Sequence, residues 1–129
     1  MENNNNIIGI GTDVVNISRI EAIFQKYGDK FLSKNFHTQE IENFKELPQP
    51  KKIGFLAKRF AGKEAIAKAL GKGIGRGLAF KDIAILNDVQ GAPYVLIDSE
   101  NSTKFSKYNI HISLADDYPF AVAYALITM

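Results

Sequence analysis

The sequence predicts an α+β domain with a mostly antiparallel sheet packed against one long helix. Three observations point there. Residues 7–15 alternate like a single strand at the start of the chain. Residues 53–70 contain no proline and are rich in alanine and lysine, which favours a long helix. The last third then holds apolar runs separated by turn residues, strand following strand with no helical pattern between them.

In chain order, residues 1–6 with their four consecutive asparagines read as a disordered tail. In residues 7–15, alternation sets Ile8, Ile10, Thr12 and Val14 on one face. Ile7, Gly9, Gly11, Asp13 and Val15 take the other, a face of mostly small residues carrying one carboxylate. Ser18 and Glu21 fit a capping box ahead of Ile20, Ile23, Phe24 and Tyr27, and Gly28 is a natural stop. Residues 31–47 are mixed, with Thr38 placed to cap a helix carrying Ile41 and Phe44, and Pro48 and Pro50 mark a loop. The long helix must break in the glycine-rich run 71–77. Residues 83–86 and 94–97 form a strand pair around Gly91 and Pro93, and residues 110–114 and 120–127 form another.

A chain of 129 residues is one domain, here 1–129, long enough to bury a core. With 46% hydrophobic and 23% charged residues it is globular in composition rather than disordered. The absence of cysteine excludes a disulfide scaffold, a thiolate zinc site and a cysteine nucleophile. Two histidines, His37 and His111, leave too little imidazole for a transition-metal site, so a metal would be a hard cation held by carboxylates. His111 alternates with Ile110 and Ile112 and reads as a core or hydrogen-bonded histidine. No stretch nears the roughly 20 apolar residues of a membrane helix, and the N-terminus lacks a basic leader region, so a cytoplasmic protein is expected.

The net charge of +2 hides an asymmetry, because residues 51–81 hold nine basic residues and one acid, Glu64. Such a segment suits phosphates or another polyanion. Wound at about 100° per residue, the long helix brings Ile53, Leu56, Ala57, Phe60 and Ala67 to one face, with Glu64 in its middle and Lys63 and Lys68 at its flanks. Alone, Glu64 would read as an i,i+4 partner of Lys68, and Asp13 as a turn or cap residue. Together, a strand Asp and a helix Glu form an oxygen-lined pair suited to magnesium. The glycine run matches neither nucleotide-binding fingerprint. It reads either as a helix stop or as a backbone that lets a phosphate come close, aided by Lys72 and Arg76.

Two segments resemble a known family. Ile8-Gly9-Ile10-Gly11-Thr12-Asp13-Val14-Val15 with Arg19-Ile20-Glu21 is similar to the N-terminal signature of holo-acyl carrier protein synthases. Arg59-Phe60-Ala61-Gly62-Lys63-Glu64-Ala65-Ile66-Ala67-Lys68-Ala69-Leu70-Gly71 resembles their second signature. Residues 36–40 resemble a weaker motif between them, and Ile112-Ser113-Leu114 and Phe120-Ala121-Val122-Ala123 resemble the C-terminal strands.

The resemblance implies a 4′-phosphopantetheinyl transferase-like fold and a role in fatty acid biosynthesis. It implies transfer of the 4′-phosphopantetheine group of coenzyme A to a serine of apo-acyl carrier protein, with release of adenosine 3′,5′-bisphosphate. It also implies magnesium and a homotrimer with active sites between subunits. Carried over residue by residue, Asp13 and Glu64 are the metal ligands and Lys68 completes the catalytic set. Arg59, Lys68, Gly71, Lys72 and Gly73 are expected near coenzyme A, and Arg19 and Lys26 on the carrier-docking surface. The base for the serine is left open between Glu64 and a metal-bound water. Asp116 stands where many members carry histidine, and its role is open. Two rival readings are a phosphate- or nucleic-acid-binding module and a purely structural subunit. The first has no recognition motif and leaves Asp13 and Glu64 unexplained.

Overall fold

The structure, a computed structural model, describes residues 6–74, 77–99 and 102–129, the side chains of residues 72–74 excepted. The opening strand β1 spans Ile7–Asn16 and leads directly into α1, Ile17–Tyr27. The N-cap is Asn16 rather than the expected Ser18. Its side chain accepts the Ser18 N–H at 3.0 Å, so the helix starts one residue before the serine. Gly28, at φ 53°, ends α1.

Where the sequence reads as mixed, the chain forms two short helices, α2 at Asp29–Asn35 and α3 at Thr38–Glu46. His37, not Thr38, caps α3. Its Nδ1 accepts from Gln39 N–H at 3.0 Å, and the Glu40 carboxylate reaches back to the His37 N–H at 2.9 Å. With Nδ1 accepting, the proton of neutral His37 sits on Nε2, 2.8 Å from Asp98.

The long helix α4 covers Gln49–Ile74 and begins about one turn earlier than expected. Pro50 lies inside its first turn, where the missing N–H costs nothing. Gly71 interrupts it with non-helical φ/ψ, where the glycine-rich break was expected. After a single 3₁₀ turn come β2 at Ile83–Asn87 and β3 at Pro93–Ile97. A four-residue helix α5, Ser102–Phe105, was not foreseen, and β4, Asn109–Asp117, and β5, Phe120–Thr128, follow.

The strands form two antiparallel sheets, a three-stranded β1-β5-β4 and a two-stranded β2-β3. The register pairs Gly11 with Ala125 and Asp13 with Ala123, so β1 and β5 turn a surface of very small residues toward α4. The helix answers with Ala57, Ala61, Ala65 and Ala69, one per turn and all at least 95% buried. Side chains this small bring backbones together. A Cβ added to Gly11 would lie 2.0 Å from the Ala65 carbonyl oxygen, and one added to Gly9 would lie 1.8 Å from that of Ala69. Gly11→Ala is therefore expected to lower stability by about 1–3 kcal/mol or more, since the clash is with main chain that cannot rotate away. A urea-midpoint shift in that variant measures it.

The larger core side chains, including Phe31, Phe36, Leu56, Ile66, Leu70, Ile83 and Ile85, pack around the rest of the helix. Helix α4 is thus covered on most sides. Ala67, expected in its apolar face, is exposed, and the band with Ile53, Phe60, Glu64 and Lys68 is its least buried part. The expected apolar face is split: Leu56 and Ala57 are fully buried, Ile53 and Phe60 are half-buried, and Ala67 is exposed. The outer face of the three-stranded sheet is apolar and uncovered, with Ile10, Val14, Val122 and Tyr124 all at least 40% exposed.

Candidate functional site

The site forms where the open band of α4 meets the end of β1. Asp13 follows the two contact glycines by alternation, so its carboxylate points to the helix side of the sheet and is only 16% exposed. Lys68 reaches across from α4. Its Nζ lies 3.0 Å from Asp13 Oδ1 and 2.9 Å from the Thr12 carbonyl oxygen. Glu64 sits one turn earlier on the same band, half-buried, with no ion-pair or hydrogen-bond partner among the described residues. The i,i+4 pair that Glu64 and Lys68 might form as helix decoration is not made. Lys68 instead binds a residue 55 positions away in the chain.

The donor set is all oxygen: the Asp13 carboxylate, the Thr12 carbonyl already facing an ammonium, and the free Glu64 carboxylate. Among the described residues no cluster of three or more acidic or imidazole groups exists. An Asp and a Glu carboxylate are the donor chemistry of magnesium, which binds through one or two carboxylates plus water and substrate phosphates.

A family model described as the 4′-phosphopantetheinyl transferase superfamily matches residues 9–123, which includes all of these groups. The chain belongs to that superfamily. As a member, it is 44% identical over 127 residues to a curated holo-[acyl-carrier-protein] synthase of Orientia tsutsugamushi, a match covering 95% of this chain and 97% of that protein. The crystal structure of the Neisseria meningitidis holo-[acyl-carrier-protein] synthase superposes with a TM-score of 0.85 at 31% identity, covering 95% and 98% of the two chains. A Bacillus anthracis holo-(acyl-carrier-protein) synthase in complex with coenzyme A (3′,5′-ADP) gives 0.78 at 34% identity, covering 95% and 96%. The transferase fold expected from the sequence is the one observed.

Other expected site residues are distributed unevenly. Arg59 is 5% exposed and lies about half a helical turn around α4 from Lys68. Its guanidinium donates to Asn87 Oδ1 and stacks on the Phe55 ring at 3.9 Å. Burial pushes it below the ordinary arginine value, with Glu40 partly opposing. Arg59 and Lys68 are not brought together in this chain. Gly71 is exposed at the kink. Gly73 continues the helix backbone, whereas the Lys72 side chain and Arg76 lie outside the described parts of the chain. Arg19 and Lys26 are both exposed and, two turns apart, share one face of α1.

Asp116 pairs with Lys58 at 3.4 Å and lines a cavity of about 380 Å³ with Leu47, Lys51 and Gly54. His111 is not a core residue. It lies on the outer sheet face, with Nε2 3.1 Å from Thr128 Oγ1.

The sequence reading missed a buried ion pair behind the site. Lys63 and Glu40 approach to 2.6 Å with both side chains fully buried. The ammonium also donates to the carbonyls of Phe80, at 2.9 Å, and Ile83, which uses all three of its donors. The second Glu40 oxygen accepts from Ile85 N–H at 3.0 Å. Burial lowers the Lys63 pKa, opposed chiefly by Glu40. Among the described residues of the basic segment, Arg59 and Lys63 are therefore internal and do not add to an exposed positive surface. The Glu40 position at N3 of a capping box was the available signal, but nothing in the sequence named Lys63 as its partner. A main-chain acceptor such as Thr12 leaves no trace in a sequence at all.

Proposed function

We propose that this chain transfers the 4′-phosphopantetheine group of coenzyme A to a serine of apo-acyl carrier protein. The products are holo-acyl carrier protein and adenosine 3′,5′-bisphosphate, and the reaction is magnesium-dependent and serves cytoplasmic fatty acid biosynthesis. The observation that carries this reading is the meeting of Lys68 with Asp13 beside an unpartnered Glu64.

The serine oxygen forms a bond to the phosphorus that carries pantetheine. The bond from that phosphorus to the bridging oxygen breaks, and that oxygen leaves on the nucleotide. The hydroxyl proton goes to a base, for which Glu64 and water are the two acceptors at hand. Magnesium held by Asp13 and Glu64 would supply positive charge to the diphosphate. Lys68, whose side chain is 54% exposed, adds a mobile cation where charge builds on the leaving oxygen. The exposed backbone at Gly71 suits approach of the nucleotide phosphates, and Lys72 and Gly73 belong to the same proposal.

The partner reading rests on α1. Arg19 has no ion-pair partner among the described residues, which argues against a merely decorative surface pair. Ile23 lies on the same face between Arg19 and Lys26. It opens onto a cavity of about 430 Å³ lined by Tyr27, Lys30, Phe31 and Lys34. An apolar floor rimmed by cations suits an acidic helical partner. The uncovered apolar face of β1-β5-β4 supports self-association, proposed to be a homotrimer with active sites between subunits. Among the described residues no helix is long and apolar enough to cross a membrane.

The deciding experiment is incubation with apo-carrier protein, coenzyme A and magnesium. A mass gain of one phosphopantetheine on the carrier, lost on chelation, is expected. No gain with a folded carrier would overturn the reading. Arg19→Glu is expected to raise KM for the carrier about tenfold while leaving KM for coenzyme A unchanged, since one reversed contact is worth about 1–2 kcal/mol. Steady-state kinetics with each substrate varied in turn checks it.

A further inference from the structure

We propose that Lys68 occupies the cation position of the site in the free protein and that coenzyme A admits the metal by drawing this ammonium away. The inference rests on the reading of Asp13 and Glu64 as metal ligands and adds an order to their use.

Lys68 Nζ is held by two oxygens of adjacent residues, Thr12 O and Asp13 Oδ1, at 2.9 and 3.0 Å. Two convergent oxygens are what a hard cation would use, and here a side-chain ammonium takes them. Local helix geometry offers Lys68 an easier partner. Glu64 lies four residues N-terminal to it, the favourable orientation for an i,i+4 pair. The ammonium bypasses Glu64 and crosses to β1. One consequence is that Asp13 is covered and Glu64 is left without a partner.

The Lys68 ammonium on Asp13 Oδ1 repels a second cation brought to the same carboxylate. A divalent ion arriving at the free protein therefore competes with Lys68, which weakens its binding. The latch is light, because a half-exposed ion pair contributes little. The neighbouring exposed positions, Ala67 and Gly71, leave the lysine stem room to swing. A diphosphate beside the helix offers the ammonium a better acceptor and frees Asp13. Metal and coenzyme A then favour each other, and by reciprocity the two enhancements are equal. A typical coupling of this kind is about tenfold.

The test measures metal binding, not turnover. Manganese is titrated into the full-length protein and free ion is followed by electron paramagnetic resonance, with and without coenzyme A. The variants are Lys68→Met, Lys68→Gln, Asp13→Asn and Lys45→Met, the last an exposed lysine on α3 that controls for bulk charge. Without coenzyme A, both Lys68 variants are expected to bind manganese about tenfold tighter than wild type, and Lys45→Met no tighter. The gain that coenzyme A gives wild type should shrink by the same factor in the Lys68 variants. If Asp13→Asn loses the metal but the Lys68 variants bind no tighter than wild type, the place-holder role is overturned and the metal site stands. Equal tightening in Lys45→Met reduces the effect to bulk charge and also overturns it. Wild-type affinity in Asp13→Asn would overturn both the place-holder role and the metal reading beneath it.

Discussion

Glu40→Ala is expected to lower stability by about 3–5 kcal/mol, a large part of what a domain this size possesses. The substitution strands the Lys63 ammonium in a site with no exposure, left with two carbonyls, the Phe36 ring at 5.4 Å and the opposed influences of Arg59 and Asp82. It also removes the partner of the Ile85 N–H and half of the α3 capping box. Chemical denaturation measures the loss. The double variant Glu40→Leu with Lys63→Met is expected to regain much of it, because apolar replacement of a whole buried pair is often near neutral.

The pH dependence has a definite sign. Burial lowers the folded-state pKa of Lys63, so between that value and the ordinary lysine value of about 10.4 the unfolded chain binds more protons. Stability contributed by this group rises with pH through that window. In Glu40→Gln the main opposing influence is gone and the window extends to lower pH. The gap in urea midpoint between Glu40→Gln and wild type should therefore narrow from pH 7 to pH 9, and a gap that widens would contradict the pair as described.

Asp13→Ala and Glu64→Ala are each expected to cut kcat/KM by about 100-fold or more while the fold persists. Neither removal strands a buried charge. Lys68, the partner of Asp13, is half exposed and regains water, and Glu64 has no described partner to lose. Thermal melts within a few degrees of wild type, beside collapsed turnover at saturating carrier, distinguish these chemical losses from the structural loss at Glu40. A folded Asp13→Ala enzyme with near-normal turnover at limiting magnesium would remove Asp13 from the catalytic set.

Strand β1 was legible because alternation and glycine placement agreed: the face with Gly9, Gly11 and Asp13 is the one that meets the helix. The break at Gly71 was legible for the same local reason. The orientation of α4 was not. A helix enclosed on most sides carries apolar residues all round, and a wheel centred on Ile53 joined the buried Leu56 and Ala57 to the half-buried Ile53 and Phe60 and the exposed Ala67, so its centre fell on the edge of the open band. That misreading still singled out Glu64, because the open band is also where function can reach a helix. Helices α2 and α5 escaped notice because seven and four residues are too few to establish a period. The Glu40–Lys63 pair escaped because its partners are distant in sequence and only the fold brings them together.

The contact between β1 and α4 at Gly9 and Gly11 acts as a gauge block. The separation of the two elements is the thickness of touching main chains, with no side chain interposed to change rotamer or be replaced by a larger or smaller one. Asp13 on one element and Glu64 and Lys68 on the other inherit that fixed spacing. Elsewhere the core is filled by Phe31, Phe36, Phe44 and their aliphatic neighbours, which can be exchanged for others of similar volume. Such exchanges can alter how firmly the domain holds together without recalibrating the distance between β1 and α4 at the proposed site. Alignment and stability are thus carried by different parts of the same interior, and sequence drift in one need not be matched by correction in the other.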